Sequence, residues 1–254
     1  MTSPSWRRLD RRFVVVLLGL LACYHAAELV GTRWLHSVFW QGLLMTAVLP
    51  LALLLGAWFW RAPLRSYALE IRPGAGRWLL GGLVAALLAK LAAVTLGVWL
   101  GAYAASAPAV PSGASPSGLL AFMLLATFIP SLAEDLLTRG LWWRHGPLRS
   151  GMGSVLLSTA VYVLNHVWLL ANGPLEWLRL ASFGLAYAVA LMRTGSLWAA
   201  LGLHWGWNLA NSLLSTGLDL QTLQPTTSVA LSVGAHLLLA ALCLLFTRTA
   251  SSRS

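Results

Sequence analysis

The stretch PSLAEDLLTRGLWW, residues 130 to 143, sets two adjacent acids, Glu134 and Asp135, and an arginine, Arg139, inside a run of leucine, alanine and phenylalanine. Almost everything around it has the composition of lipid-facing chain. A charge near a bilayer centre costs about 2.5–3.5 kcal/mol even on insertion-based scales. The three charges therefore either close a helix at the membrane surface or serve a buried site. On a helix Asp135 and Arg139 stand four apart and share a face, where pairing offsets the cost of each. Glu134 points about 100° away from Asp135 and is left free for other work.

The whole chain explains those surroundings. Of 254 residues, 58% are hydrophobic and 9% charged, and the mean hydropathy is +0.74. Soluble domains carry about 25% charged residues, so the composition points to an all-α, polytopic membrane protein embedded in a lipid bilayer. The formal charge of +10 is no sign of nucleic acid, because no basic stripe with interleaved aromatics accompanies it. Cys23 and Cys243 lie far apart in apolar runs, which excludes a disulfide framework or a cysteine metal cage.

A span needs about 20 apolar residues. Eight runs meet that requirement, at approximately 13–31, 37–60, 78–105, 118–143, 152–171, 176–193, 195–215 and 227–247. The N-terminus imitates a signal peptide, with a basic region before an apolar stretch. It lacks a clean small-x-small cleavage site, so it reads as a retained first helix.

The arginines test this layout. Arg7, Arg8, Arg11 and Arg12 precede the first run, and Arg61, Arg65, Arg72 and Arg77 lie between the second and third. Arg139, Arg144 and Arg149 fall at or after the end of the fourth, Arg193 between the sixth and seventh, and Arg248 and Arg253 after the eighth. Only Arg33 and Arg179 lie on the other side. Eight spans with both termini in the cytoplasm obey the positive-inside rule.

The uncharged linker ASAPAVPSGASPSG, 105 to 118, reads as a flexible non-cytoplasmic loop dividing the chain. The organisation expected is N-terminal helices at 1–105, a linker at 106–117, a four-helix catalytic core at 118–215, and a last helix and cytoplasmic tail at 216–254. No fixed-period repeat is visible.

Two further polar clusters lie in the second half. VYVLNHVW, 161 to 168, puts Asn165 and His166 well inside the fifth run. LGLHWGWNLANS, 201 to 212, puts His204 and Asn208 four apart on one face, with Gly202, Gly206 and Ala210 allowing close helix approach. Each cluster taken alone also fits plain helix packing by hydrogen bonds. Depth links them. Glu134 lies about 15 Å from the cytoplasmic end of its run, His204 about 14 Å and His166 about 20 Å, at 1.5 Å per residue and within the slack of helix tilt. A carboxylate, two imidazoles and an amide can thus meet at one level.

EDLLTRG, YVLNH and HWGWN resemble, in that order, the three motifs of the CPBP (CAAX protease and bacteriocin-processing, or Abi) intramembrane proteases: Glu-Glu-x-x-x-Arg, Phe-x-x-x-His and His-x-x-x-Asn. The matching positions are Glu134, Asp135 and Arg139; Tyr162 and His166; and His204 and Asn208. The resemblance covers roughly 118 to 215. Asp135 stands where the family has a second Glu, and Tyr162 where it has Phe, which keeps an aromatic wall and adds a hydroxyl.

The resemblance implies an intramembrane endopeptidase acting on a membrane-embedded peptide or protein. Glu134 would be the general base, His166 would help hold the water, and His204 and Asn208 would donate to the oxyanion. Asp135 and Arg139 would anchor the helix and orient Glu134. Within the family a zinc-dependent version is the rival, with Glu134, His166 and His204 as ligands and a fourth position open. No HExxH is present, and no carboxylate would remain as base if Glu134 ligated. The metal-free version is therefore preferred, with no cofactor.

Other protease chemistries fit badly. No paired aspartates sit on two helices, no G-x-S-x-G is present, and Ser154 and Ser158 lack an evident base on their helix face. A transporter using Lys90 and Glu28 and a non-catalytic scaffold are the readings from other classes. The absence of an inverted repeat and the clustering of polar groups in one half argue against transport. Lys90 is expected to snorkel or hydrogen-bond locally. His25 and Glu28 are expected to be surface groups, His145 and His236 incidental, and Trp205 and Trp207 belt or packing residues. A composition rich in Leu, Ala, Arg and Trp suggests a GC-rich bacterial genome and hence an inner membrane. The sequence carries no signal for oligomeric state.

Overall fold

Lipid offers the backbone no hydrogen-bond partner, so each apolar run closes its own N–H to C=O ladder as a helix. The computed structural model describes residues 10–107, 115–148 and 151–246. Arg7, Arg8, Arg149, Arg248, Arg253 and linker positions 108–114 lie outside the described residues.

Six helical segments are long and apolar enough to cross a membrane: Arg11–Trp34, Phe39–Trp60, Ala75–Trp99, Pro116–His145, Pro174–Thr194 and Pro225–Phe246. The chain is an all-α integral membrane protein. In order, the helices are α1 (Arg11–Glu28, continued by a π turn at Leu29–Trp34), α2 (Val38–Met45), α3 (Val48–Trp60), α4 (Ala75–Trp99), α5 (Pro116–Asp135), α6 (Leu141–His145), α7 (Gly151–Asn165), α8 (Pro174–Thr194), α9 (Leu197–Gly217) and α10 (Pro225–Phe246). Ser115 caps α5, its Oγ accepting the Gly118 N–H at 3.0 Å, and Pro116 occupies the first helical position, where no N–H is needed.

Two of the eight expected spans come out differently. The fifth, expected over 152–171, is the short helix α7, which ends at Asn165 and gives way to a 3₁₀ turn at Val167–Asn172. At the break the His166 ring donates from Nδ1 to the Tyr162 carbonyl at 2.9 Å, occupying the acceptor that the next helical N–H would use. The seventh becomes α9, which has spanning length, but His204, Asn208, Asn211 and Ser212 lower its hydropathy. It is shielded by protein rather than lipid, with His204 and Trp207 nearly inaccessible.

The small residues of α9 have a partner. A Cβ on Gly202 would lie 2.3 Å from the Leu79 carbonyl oxygen of α4, and one on Gly206 would lie 2.5 Å from that of Leu83. Gly82 returns the contact, since its Cβ would come within 2.9 Å of the Ala199 oxygen. The two backbones pack against each other as small-residue faces allow.

One feature was not expected. Tyr103–Ser106 (β1) and Asp219–Thr222 (β2) pair antiparallel, with Tyr103 opposite Thr222 and Ser106 opposite Asp219. Neither YAAS nor DLQT has the alternating apolar pattern of a half-buried strand. The Tyr103 hydroxyl shares a hydrogen bond of 2.6 Å with Ser228 Oγ, tying the ribbon to α10.

Candidate active site

α5 and α9 lie against each other with opposite chain directions. Asp135 meets His204, and four residues back along α5 Ser131 meets Asn208, four residues forward along α9. One antiparallel register therefore sets two site residues at once. After Asp135 the helix widens into a π turn at Leu136–Gly140 before α6 resumes. Such turns recur where a helix must present a functional side chain. Gly140 lets this turn approach the Tyr67 carbonyl, which a Cβ would meet at 2.6 Å.

Asp135 and Arg139 have fully buried side chains and form an ion pair through Oδ1 and Nη1. Arg139 Nη1 also donates to Thr138 Oγ1 at 3.1 Å, and its guanidinium lies over Tyr162 at 4.5 Å and Tyr187 at 4.9 Å from the ring centroids. The aromatic faces take up part of the charge that a single carboxylate leaves exposed to a low dielectric. The Tyr162 ring also lies 4.6 Å from the His166 ring, so this position walls the site and supports Arg139.

Glu134 is 5% exposed and sits between the two histidines. Its Oε1 lies 3.5 Å from His166 Nδ1 and its Oε2 lies 3.7 Å from His204 Nε2. Among the described residues Oε1 has no hydrogen-bond partner. The Tyr162 carbonyl can only accept, so His166 Nδ1 carries a proton. His204 Nδ1 donates to Asp135 Oδ1 at 3.0 Å, which turns its Nε2 toward Glu134. Glu134, His166, His204 and Asn208 line one cavity of about 250 Å³, together with Tyr162.

The sequence pattern did not reveal several parts of this site. Asp135 was expected to serve Arg139 and orient Glu134; it also holds His204. Ser131 fixes Asn208 by accepting from its Nδ2 at 3.0 Å, while its own hydroxyl donates to the Thr127 carbonyl at 2.7 Å. Tyr187 stacks on the His204 ring at 5.0 Å. His236, expected to be incidental, is fully buried and holds Tyr187. Its Nδ1–H goes to the Ser232 carbonyl at 2.9 Å, leaving Nε2 to accept from the Tyr187 hydroxyl at 3.0 Å. Trp207 is buried beside it and lines the cavity, whereas Trp205 donates to Thr127 Oγ1 at 3.1 Å. His145 stacks on Trp60 at 3.7 Å, and His25 faces Glu28 at 3.6 Å, both away from the cavity. Lys90, expected to snorkel or hydrogen-bond locally, has no hydrogen bond among the described residues and is half-buried. Its ammonium lies 4.8 Å over the Trp207 ring, at the cavity wall.

Among the described residues, no three His, Cys, Asp or Glu groups converge as a metal site would require. The nitrogen that His166 turns toward Glu134 is the protonated one, with its hydrogen given to Tyr162. This arrangement does not fit a zinc ion held by Glu134, His166 and His204.

The family model described as type II CAAX prenyl endopeptidase Rce1-like matches residues 116–210. The match starts at the first residue of α5 and ends just beyond Asn208, so it takes in all three motifs and leaves out α1 to α4, the ribbon and α10. No curated protein matches the chain. Over residues 116–210 the chain is similar to the Rce1-like family, which is consistent with the resemblance of its three motifs to those of the CPBP intramembrane proteases.

Proposed function

We propose that the protein is an intramembrane endopeptidase in which Glu134 activates a water to attack a peptide bond of a membrane-embedded substrate. One observation carries this reading: a buried carboxylate stands between two imidazoles, at 3.5 and 3.7 Å, inside a cavity of about 250 Å³. Oε1 of Glu134, with no hydrogen-bond partner among the described residues, takes the proton of the attacking water. His166, fixed by the Tyr162 carbonyl, steadies that water.

The oxyanion falls to α9. Asp135 already takes the Nδ1 proton of His204, so His204 donates from Nε2 only as an imidazolium. The Asp135 carboxylate at 3.0 Å balances that charge. Asn208, held by Ser131, supplies the second donor. In this state Glu134 and Asp135 carry two negative charges, and Arg139 and His204 two positive ones. A neutral cluster is what a membrane interior tolerates. The proton gained by Glu134 passes to the leaving amine, so the base returns as the acid.

No metal enters this scheme. Exhaustive chelation, with metal content measured, should leave activity intact; loss restored only by added zinc would replace the glutamate mechanism with a metal-dependent one.

The excess of arginine in the loops between α3 and α4 and after α5 supports a cytoplasmic placement of those loops and of both termini in a bacterial inner membrane. Substrates of the class named for the family, with a prenylated or otherwise membrane-held tail, are the starting candidates. The reading is tested by comparing protein termini, by mass spectrometry, in membranes of source cells carrying the wild type or Glu134→Gln at equal expression. New termini present only with the wild type support it. Identical termini would reduce the chain to a scaffold.

A further inference from the structure

Lys90 is the chain's single lysine, and α4 carries it into the membrane outside the segment that matches the Rce1-like family. A half-buried amine so placed needs a reason, because a cation within a bilayer is expensive unless paired. Among the described residues no carboxylate lies within ion-pair distance of it; its ammonium rests over the Trp207 ring at 4.8 Å. Arg179 lines the same cavity, but its charge is already met by Glu176, whose Oε1 accepts from Nη2 at 2.6 Å. Glu134 faces the two histidines. Lys90 is therefore the cation left over.

Its position gives that charge a use. The catalytic cavity and a vestibule of about 470 Å³ beneath the β ribbon share Lys90, Arg179, Asn211 and Ser232 in their walls. Asp219, at the vestibule's far side, is engaged by Ser106 Oγ at 3.4 Å. A peptide lying with its scissile bond at Glu134 extends past Lys90 to reach the vestibule. Asn211 and Ser232 add neutral polar groups at the same neck.

We propose that Lys90, with Arg179 beside it, is a carboxylate-binding subsite that holds a carboxylate of the substrate peptide next to the catalytic cavity. The carboxylate is either the free C-terminus of a short tail or an acidic side chain. The proposal rests on the peptidase reading for what the ligand is, but not for its test.

Because Lys90 is the only side-chain amine, acylation by acetic anhydride, read peptide by peptide in a mass spectrometer, reports on it alone. The full chain, wild type and Glu134→Gln, is labelled in lipid nanodiscs with three probes: acetyl-Leu-Ala-Leu-Ala-Leu as free acid, the same peptide as amide, and acetyl-Leu-Ala-Asp-Ala-Leu amide. One or both carboxylate-bearing probes should slow Lys90 acylation by about tenfold, as charge-assisted contacts allow, and the Leu amide should leave it unchanged. Which of the two protects identifies the source of the carboxylate. Arg179→Gln should weaken that protection. Equal protection by acid and amide, no protection by any probe, or no labelling of Lys90 at all would each overturn the subsite, the last because a cavity closed to a small reagent admits no peptide. Protection needs no cleavage, so a failed peptidase reading and a failed subsite give different results.

Discussion

Oδ1 of Asp135 takes two partners at once: the guanidinium of Arg139 on its own helix and, at 3.0 Å, Nδ1 of His204 on the facing one. One carboxylate oxygen thus joins the buried ion pair to the His204 imidazole. Asp135→Asn preserves the shape and an acceptor but removes the charge that balances an imidazolium at position 204. Turnover should fall about 100-fold, at the upper end for losing a partner that orients a catalytic histidine, with KM nearly unchanged. Steady-state kinetics check this, and an unchanged kcat would remove Asp135 from the mechanism.

Arg139 is fully buried, and its removal would leave Asp135 with no guanidinium partner. Arg139→Met should lower stability by about 3–5 kcal/mol, the usual cost of breaking a buried pair from one side. Thermal unfolding in detergent reads the loss. Combining Arg139→Met with Asp135→Asn should recover part of it, because the buried charge is then gone.

Asn208 is held by Ser131 rather than by another motif residue. As an oxyanion donor, Asn208→Ala should cost about 10²–10³ in kcat. Ser131→Ala leaves the amide present but loose, and its loss should be clearly smaller. Equal losses in single-turnover rates would show that Asn208 acts only through packing.

The contact between α4 and α9 depends on missing side chains. Gly202→Val and Gly206→Val drive a Cβ into carbonyls at 2.3 and 2.5 Å, and should abolish expression of folded protein, as overpacking at a backbone contact does. Gly217→Ala, with nothing within 4 Å, should be neutral. Size-exclusion profiles of the detergent-extracted chain distinguish the two.

The three motifs were legible because each keeps a helical spacing. Asp135 and Arg139 pair as i, i+4, His204 and Asn208 share one face, and depth along each run predicted their common level. What the sequence hid depends on register between helices. Nothing in TFIPSLAED says that Ser131 will sit opposite Asn208, because only the antiparallel docking of α5 on α9 puts it there. His236 looks isolated in an apolar helix, and its role exists only through Tyr187, 49 positions away. At the π turn after Asp135 the Thr138 hydroxyl donates to the Glu134 carbonyl, and at the end of α7 His166 donates to that of Tyr162; apolar periodicity does not register such side-chain contacts with the backbone. The β ribbon escaped for a simpler reason, being two four-residue strands without alternation.

In the proposed mechanism water, activated by Glu134, is added across a peptide bond without a metal or an acyl-enzyme. Single-turnover cleavage in H₂¹⁸O by the chelated, liposome-reconstituted chain tests it most directly, with a substrate identified from the termini comparison. One ¹⁸O is expected in the new C-terminal carboxylate of the product, none in the Glu134 peptide of the enzyme, and no cleavage by Glu134→Gln. Label appearing in Glu134, or full turnover by Glu134→Gln, would contradict it.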